Sequence, residues 1–182
     1  WTVNAFILDA GAIPTYGWLD GTSAGERDID ELLYVHVAAG AAAINIIPDR
    51  NWNIADPETR KTKVENLYAI VGKAHDHNLP IFVGTEMNAP GQRFVDDFSA
   101  LELKPLLGDF LEGAHILYAH TVLQRSGGLG YLSDWARRRF PSAATKNAFY
   151  ARVGESLRPG QAESWDLPDD PDPATILSRL EK

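Results

Sequence analysis

The chain has 182 residues, of which 45% are hydrophobic, and this is enough for one domain with a substantial core. Its formal net charge of −8 and isoelectric point near 5.0 argue against a nucleic-acid partner, which needs a basic face. The chain contains no cysteine, so disulfides and thiolate metal sites are excluded, and any metal would be held by histidine, carboxylates or amides.

Four nearly continuous apolar runs predict buried strands, at residues 3–8, 42–47, 80–84 and 115–119. Such runs are expected of parallel strands that are covered on both faces, whereas strands with one solvated face alternate apolar and polar residues. We therefore expect these four segments to form a parallel sheet.

Helical patterns lie between the predicted strands. Residues 27–39 and 63–75 each place apolar side chains on one face of a helix. The third connection, residues 96–113, is interrupted by Pro105 and Gly108, so it predicts one or two short helices.

The boundaries of the two longer helices carry their own signals. Asp56 followed by Pro57 is typical of a helix start, with the aspartate as cap and the proline in the first turn. Gly40 and Asn78 are typical of residues that end a helix.

After His120 the pattern becomes helical, with predicted helices at residues 129–140, 143–156 and 174–180. Residues 158–173 are rich in proline and acid, which is typical of an extended linker or arm. The predicted organisation is one domain over residues 1–157 and a C-terminal arm with a short helix over residues 158–182.

Strand and helix alternate at a steady interval, which predicts right-handed βαβ units in a parallel sheet. Asp9, Asp49, Glu86 and His120 follow the four predicted strands at intervals of 40, 37 and 34 residues. A full eight-unit barrel needs about 250 residues. The predicted fold class is therefore α/β, a parallel (β/α) barrel of TIM type that is partial or reduced, with a helical C-terminal part.

Polar residues follow three of the predicted strands, and the carboxyl ends of parallel strands form the ligand face of such folds. Asp49, Glu86 and His120 have the ligand types that a divalent cation prefers. The alternative for such an aspartate is that it only caps the following helix. We favour a metal site for the three residues taken together.

Further residues on the same predicted face are candidates for binding a substrate. Arg50 and Arg125 have the geometry to hold a phosphate or carboxylate, or else they neutralise the acids beside them. Trp52 would either wall a pocket or pack over the rim. The predicted substrate-binding residues are Arg125, Asn51, Asn88 and Trp52.

The order of these motifs resembles the PHP (polymerase and histidinol phosphatase) family and, more loosely, the amidohydrolase-like barrels. The corresponding stretches are LDAGAI (8–13), LDGT (19–22), IPDRN (47–51), VGTEMN (83–88) and YAHT (118–121). Three histidines of the family pattern are absent, since Gly11, Ile13 and Arg50 stand in their places.

The resemblance implies a metal-dependent hydrolase that activates water on a divalent ion (Zn, Mn or Mg) to cleave a phosphoester or another small anionic substrate. Glu86, His120 and Asp49 would hold the metal, and Asp49, Glu86, His120 and Arg50 would act in catalysis. A sugar isomerase or lyase on a similar barrel, and an inactive ligand-binding relative, are the alternative hypotheses.

The sequence also predicts the cellular location and the partners of the protein. No apolar stretch approaches a membrane span and no signal peptide is visible, so we predict a cytoplasmic protein whose partner is a small molecule. A partial barrel would expose sheet edges, so we also expect either a homo-oligomer or a preceding segment that completes it.

Overall fold

The structure is a computed structural model, and it describes residues 2–87, 90, 93–161, 165 and 167–180. The chain forms two compact units. The sheet unit comprises Pro14–Leu111, and the helical unit comprises Trp1–Ile13 together with Glu112–Lys182. Residues 158–182, the predicted C-terminal arm, fall within the helical unit.

The sheet unit is a β-α-β-α-α-β arrangement. Its elements are β1 (Thr15–Trp18), α2 (Ile29–Ala38), β2 (Ala43–Ile46), α3 (Asp49–Trp52), α4 (Pro57–Asp76) and β3 (Ile81–Val83). The three strands are parallel in the order β1-β2-β3, so that Ile44 of β2 lies opposite Tyr16 on one side and Ile81 on the other. A 3₁₀ turn, Lys104–Leu106, lies near the C-terminal end of the unit.

The core of the sheet unit lies against β2 and α4. Ile44 and Ile46 of β2 are buried, as is Trp18 at the end of β1. Helix α4 contributes residues at the spacing of one helical face, namely Leu67, Ile70, Val71 and Ala74. The apolar runs at residues 42–47 and 80–84 are therefore strands, and that part of the prediction is confirmed.

Helix boundaries in the sheet unit follow the predicted signals. The side chain of Asp56 accepts a hydrogen bond from the backbone N–H of Thr59 at 2.8 Å, and Pro57 opens α4. Gly40, which follows α2, has φ +98°, and Asn78, which follows α4, has φ +53°. Both residues take the left-handed conformation that ends a helix, as predicted.

The helical unit contains α1 (Val3–Asp9), most of α5 (Leu107–Gly127), α6 (Asp134–Arg139), α7 (Ala143–Ser156) and α8 (Pro173–Leu180). Its core is rich in aromatic side chains, among them Tyr131, Trp135, Phe149 and Tyr150. The predicted helices at 143–156 and 174–180 are confirmed, whereas the helix predicted over 129–140 is limited to α6.

The predicted TIM-type barrel is wrong. In the part of the chain that the structure describes, the sheet is open and has three strands, so β1 and β3 each lack a neighbour on one side. A barrel requires every strand to pair on both sides so that the sheet closes on itself. The protein is therefore a small α/β protein with one open parallel sheet and a large helical part.

Two of the four predicted strands are helices. Residues 3–8 belong to α1, which Thr2 caps by accepting a hydrogen bond from the N–H of Ala5 at 3.2 Å. Residues 115–119 lie inside α5, where Ile116, Ala119 and Leu123 are fully buried. Their spacing of three and four residues is that of one helical face. The alternation of strands that supported a barrel is lost as a result.

The first strand instead comes from residues that the sequence pattern did not mark. β1 is four residues long, follows Pro14 and contains Gly17, so it has almost no apolar run. It is held in place by its parallel pairing with β2 and by the complete burial of Trp18. Across the described residues, every helix is too short or too polar to cross a membrane.

Candidate functional site

The candidate site is the carboxyl edge of the sheet unit. Because β1, β2 and β3 are parallel, the loops that follow them leave from the same edge of the sheet. These loops carry residues 19–26, helix α3 and residues 84–87. The predicted site residues Asp49, Arg50, Asn51, Trp52 and Glu86 all lie in these loops.

An ion pair joins the ends of β2 and β3. The Nη1 atom of Arg50 donates a hydrogen bond to Oε2 of Glu86 at 2.7 Å, and the two side chains are 35% and 26% exposed. The pair uses one of the five N–H groups of the guanidinium, and both side chains remain accessible to solvent. The structure thus brings together two of the predicted catalytic residues, and it shows them neutralising each other.

Asp49 belongs to a second, looser group beside this pair. Its Oδ1 accepts a hydrogen bond from the side-chain amide of Asn53 at 3.0 Å, and the Nε of Arg93 lies 3.9 Å away. The guanidinium of Arg93 stacks over the ring of Trp52, with 5.4 Å between its carbon and the ring centroid. The edge therefore holds two arginines, each of them beside one acid.

Asp96 is a buried acid of this edge that the sequence pattern did not mark. Its Oδ1 accepts hydrogen bonds from the indole N–H of Trp52 at 2.7 Å and from the N–H of Asp97 at 2.8 Å. The side chain is only 6% exposed, and Oδ2 has no hydrogen-bond partner among the described residues.

The environment of Asp96 favours its protonated form. Burial is the main cause that raises its pKa above the ordinary value, and the nearby charge of Asp49 acts in the same direction. The hydrogen bonds from Trp52 and Asp97 oppose this shift but do not cancel it. Asp96 and Glu86 are thus two acids of one edge in contrasting environments, the first buried and the second paired with a cation.

The loop after β1 is organised by a further acid that the sequence analysis missed. Glu26 is 5% exposed, and its carboxylate accepts hydrogen bonds from the backbone N–H groups of Leu19, Gly21 and Asp20, at 2.7, 3.1 and 3.4 Å. The only local signal was its place at the end of the glycine-containing stretch LDGTSAGE.

Asp20 is held by the same loop and by α4. Its Oδ1 accepts from the N–H and hydroxyl of Thr22, and its Oδ2 pairs with Lys63 at 2.9 Å. Burial by itself would raise the pKa of Asp20, but the hydrogen bonds from Thr22 and Lys63 outweigh it and lower the pKa.

Two of the predicted substrate-binding residues have structural contacts at this edge. Asn51 is fully buried, and its amide nitrogen donates to the carbonyl oxygens of Leu19 and Ile47, both at 3.1 Å. The indole N–H of Trp52 is used by Asp96. Asn88, a third predicted residue of this kind, lies outside the described residues.

His120 lies in the helical unit, in α5, whereas Asp49 and Glu86 belong to the sheet unit. Its Nδ1 accepts the backbone N–H of Tyr131 at 3.0 Å, and the imidazole also hydrogen-bonds the backbone of Gly11. Burial lowers its pKa, which favours the neutral ring. The Nδ1 atom of His120 is therefore engaged by the backbone.

The prediction of a metal-binding site is wrong for the residues that the structure describes, because they contain no group of three or more histidines and acids able to hold a metal ion. The predicted ligands are instead engaged by other groups: Glu86 by Arg50, Asp49 by Asn53, and His120 by the backbone. These residues do not fit a metal, although their catalytic roles stay predictions.

Comparisons with protein-family models, with curated proteins and with solved structures found no match. The resemblance to the PHP family therefore stays a prediction that rests on the order of the motifs.

Proposed function

We propose that the sheet unit binds a small anionic molecule at the carboxyl edge of its sheet, and that Arg50 is the residue that contacts the anion. A phosphoester or a carboxylate is the ligand class. The observation that carries the proposal is the Arg50–Glu86 pair, because it leaves most of a partly exposed guanidinium unused at the edge where parallel α/β proteins bind ligands.

Arg93 supports the same ligand class. Its guanidinium is 45% exposed and lies 3.9 Å from Asp49, which is too far for a short hydrogen-bonded ion pair. Its position over Trp52 orients the planar group without using its N–H donors. A second guanidinium with free donors thus lies among the same loops and adds to the attraction for an anion.

Hydrolysis of a bound phosphoester is the reaction that we propose for this edge. The contrast between Asp96 and Glu86 supports it, because burial raises the pKa of Asp96 and so favours its acid form, whereas Glu86 is paired with the cation of Arg50, and general acid–base catalysis needs one acid and one base. Glu86 would take a proton from the attacking water. Asp96 would give its proton to the oxygen of the leaving alcohol as the P–O bond breaks.

Binding is tested by titrating the protein with phenyl phosphate in a calorimeter. Arg50→Gln should weaken binding roughly tenfold or more, because it removes a charged donor of the anion. Arg152→Gln is the control, since Arg152 is an exposed arginine of α7, which belongs to the helical unit and not to this edge. Equal affinities for the wild type and Arg50→Gln would refute the binding proposal.

Glu86→Gln separates binding from turnover. Removing the carboxylate frees the Arg50 guanidinium, so phenyl phosphate should bind more tightly. Release of phosphate should nevertheless fall, because the proposed base is lost. If binding tightens and turnover is unchanged, the anion site stands and the role of Glu86 as a base is wrong.

Asp96→Asn tests the proposed acid through the leaving group. Phenol has a pKa of about 10, like the side chain of tyrosine. Its oxygen therefore needs a proton on leaving more than the oxygen of the more acidic p-nitrophenol does. The substitution should therefore slow the hydrolysis of phenyl phosphate far more than that of p-nitrophenyl phosphate. Equal slowing of both substrates would contradict the acid role. Each assay is run with added divalent metal and with a chelator, which tests the predicted cofactor separately from these residues.

A further inference from the structure

The helical unit contains a large open cavity that the proposed function does not use. It has a volume of about 670 Å³, within the range of ~300–1,000 Å³ that is typical of small-molecule sites. One side comes from the second half of α5 and the other from the segment that follows α7. The lining residues are Tyr118, Thr121, Val122, Arg125, Ser126, Arg158, Pro159, Gly160 and Trp165.

Two arginines lie at this cavity. Arg125 is exposed in the last turn of α5, and Arg158 is exposed two residues after α7 ends. Neither guanidinium has an acidic partner among the described residues, whereas Arg50, Arg137 and Arg139 each pair with an acid at 2.7 Å or less. In a chain with 25 acids and 17 basic residues, two free arginines at one cavity favour an anionic ligand.

Two hydroxyl groups of the cavity are used within α5. The hydroxyl of Thr121 donates to the carbonyl oxygen of Leu117 at 2.9 Å, and that of Ser126 donates to the carbonyl oxygen of Val122 at 2.9 Å. Each hydroxyl has one proton, which is used by these bonds. Arg125 and Arg158 therefore provide the charged donors for an anion bound in this cavity.

The remaining lining is aromatic and apolar. Tyr118 and Trp165 are both partly buried, and Val122 and Pro159 complete the apolar surface. Aromatic side chains bind planar rings by stacking or edge-to-face contact. A cavity that combines this surface with two free guanidiniums matches a ligand with an aromatic ring and an acidic group.

We propose that this cavity is a binding site for a small aromatic acid, whose anionic group is held by Arg125 and Arg158 and whose ring packs against Tyr118 and Trp165. The sequence predicted that Arg125 binds the substrate of a hydrolase. The proposal gives this residue a separate ligand in the helical unit, and it does not depend on the site of the sheet unit.

The test uses three probes that separate ring from charge: 2-naphthoate, which has both, acetate, which has only the charge, and 2-naphthamide, which has only the ring. Binding to the full chain is followed by the indole N–H signal of Trp165 in a nitrogen–proton correlation spectrum. Trp165→Phe identifies that signal by its loss. We expect 2-naphthoate to shift it and to bind at least about tenfold more tightly than either other probe.

The variants locate the anion. Arg125→Gln and Arg158→Gln should each weaken the binding of 2-naphthoate roughly tenfold. Arg152→Gln, at an exposed arginine of α7 outside the cavity, should leave it unchanged. Retained folding of each variant is checked by the dispersion of the same spectrum.

Three results would overturn the proposal. One is a Trp165 signal that 2-naphthoate does not move at saturation, and another is an affinity that neither Arg125→Gln nor Arg158→Gln reduces. The third is binding of acetate or 2-naphthamide as tight as that of 2-naphthoate, since the site would then not recognise the combination of ring and charge. Loss of the shift in Arg50→Gln alone would assign the ligand to the sheet unit instead.

Discussion

Trp52 and Asp96 lie 44 residues apart in the chain, and the indole N–H of Trp52 donates to Oδ1 of Asp96 at 2.7 Å. The bond connects α3, at the end of β2, with the loop that leads towards the 3₁₀ turn Lys104–Leu106. It satisfies one carboxyl oxygen of Asp96 and leaves the other buried without a partner among the described residues. Ionisation of Asp96 would therefore place a charge on a buried oxygen that has no donor, and this should lower the stability of the fold.

The stability of the protein should fall as Asp96 ionises. Its pKa is raised in the folded state, so folding is favoured most below the unfolded value of about 3.9, and the contribution is lost as pH rises through the folded pKa. Asp96→Asn keeps an acceptor for Trp52 and cannot ionise. We expect its thermal unfolding transition to rise relative to the wild type between pH 4 and pH 7.

A comparison at these two pH values provides the control for this prediction. At pH 4 the asparagine resembles the protonated acid, so the two proteins should differ little there. A difference between the two proteins that is the same at both pH values would contradict a raised pKa for Asp96.

Gly154 sets the approach of α7 to α5 within the helical unit. A β-carbon at this position would overlap the backbone carbonyl group of His115. Gly154→Ala should therefore destabilise the helical unit by about 1–3 kcal/mol or more, as overpacking in a core does. Thermal unfolding followed by circular dichroism measures the loss.

Gly72→Ala is the matched helix control for Gly154→Ala. Gly72 lies in α4, and a β-carbon there meets no atom within 4 Å. The substitution should stabilise the protein by up to about 1 kcal/mol, because alanine favours a helix more than glycine does. Equal effects of the two substitutions would show that helix propensity, and not the contact with His115, decides the result.

The sequence predicted most accurately the elements whose ends are marked by local sequence signals. Helix α7 occupies the residues predicted for it from the helical spacing of its apolar residues, and the structure adds a capping box between Ser142 and Thr145. β2 and β3 were found because short apolar runs end at polar or glycine residues. In these segments local chemistry and tertiary packing favour the same structure.

Short apolar runs without such boundaries were assigned wrongly. Residues 3–8 and 115–119 are as apolar as a strand, but five or six residues do not distinguish a buried strand from part of a helix. The segment 115–119 is helical because it continues a 21-residue helix whose apolar face packs into the core. That information lies in the flanking turns and in tertiary contacts.

Only part of the candidate site was predicted from the sequence. Arg50 and Glu86 are brought together because their strands are parallel neighbours, which the alternating pattern implied. His120 was predicted to join them because residues 115–119 were assigned to a strand of the same sheet. These residues belong to helix α5, and His120 lies in the helical unit. Asp96 had no local signal, because its contact with Trp52 joins residues 44 positions apart. Glu26 contacts its own loop, but only the glycine-containing stretch before it pointed to that role.

His120 should behave as a structural residue of the helical unit. His120→Ala leaves the N–H of Tyr131 without its acceptor and creates a cavity, so we expect a loss of about 2–4 kcal/mol. His120→Asn keeps an acceptor near the position of Nδ1 and should cost less. Chemical denaturation measures both losses. A folded, fully stable His120→Ala protein that has lost turnover would instead support the predicted catalytic role.

The stability contribution of His120 should also depend on pH. Because its folded pKa is lowered, the unfolded chain binds the proton more readily, and stability is lost as pH falls from about 6.5 towards the folded pKa. The wild type should therefore unfold more easily at pH 5.5 than at pH 7.5. His120→Asn should show a smaller change, and an identical change in both proteins would assign the effect to other groups.

Glu26 should determine the conformation of the loop after β1. Its two carboxylate oxygens accept three backbone N–H groups, and Glu26→Gln replaces one of these oxygens by an NH₂ group that faces a donor. We expect a loss of about 1–3 kcal/mol and faster hydrogen exchange at the amides of Leu19 and Gly21. Glu65→Gln, at an exposed position of α4, should leave both quantities unchanged. If exchange at these two amides is as slow in Glu26→Gln as in the wild type, the loop does not depend on the carboxylate.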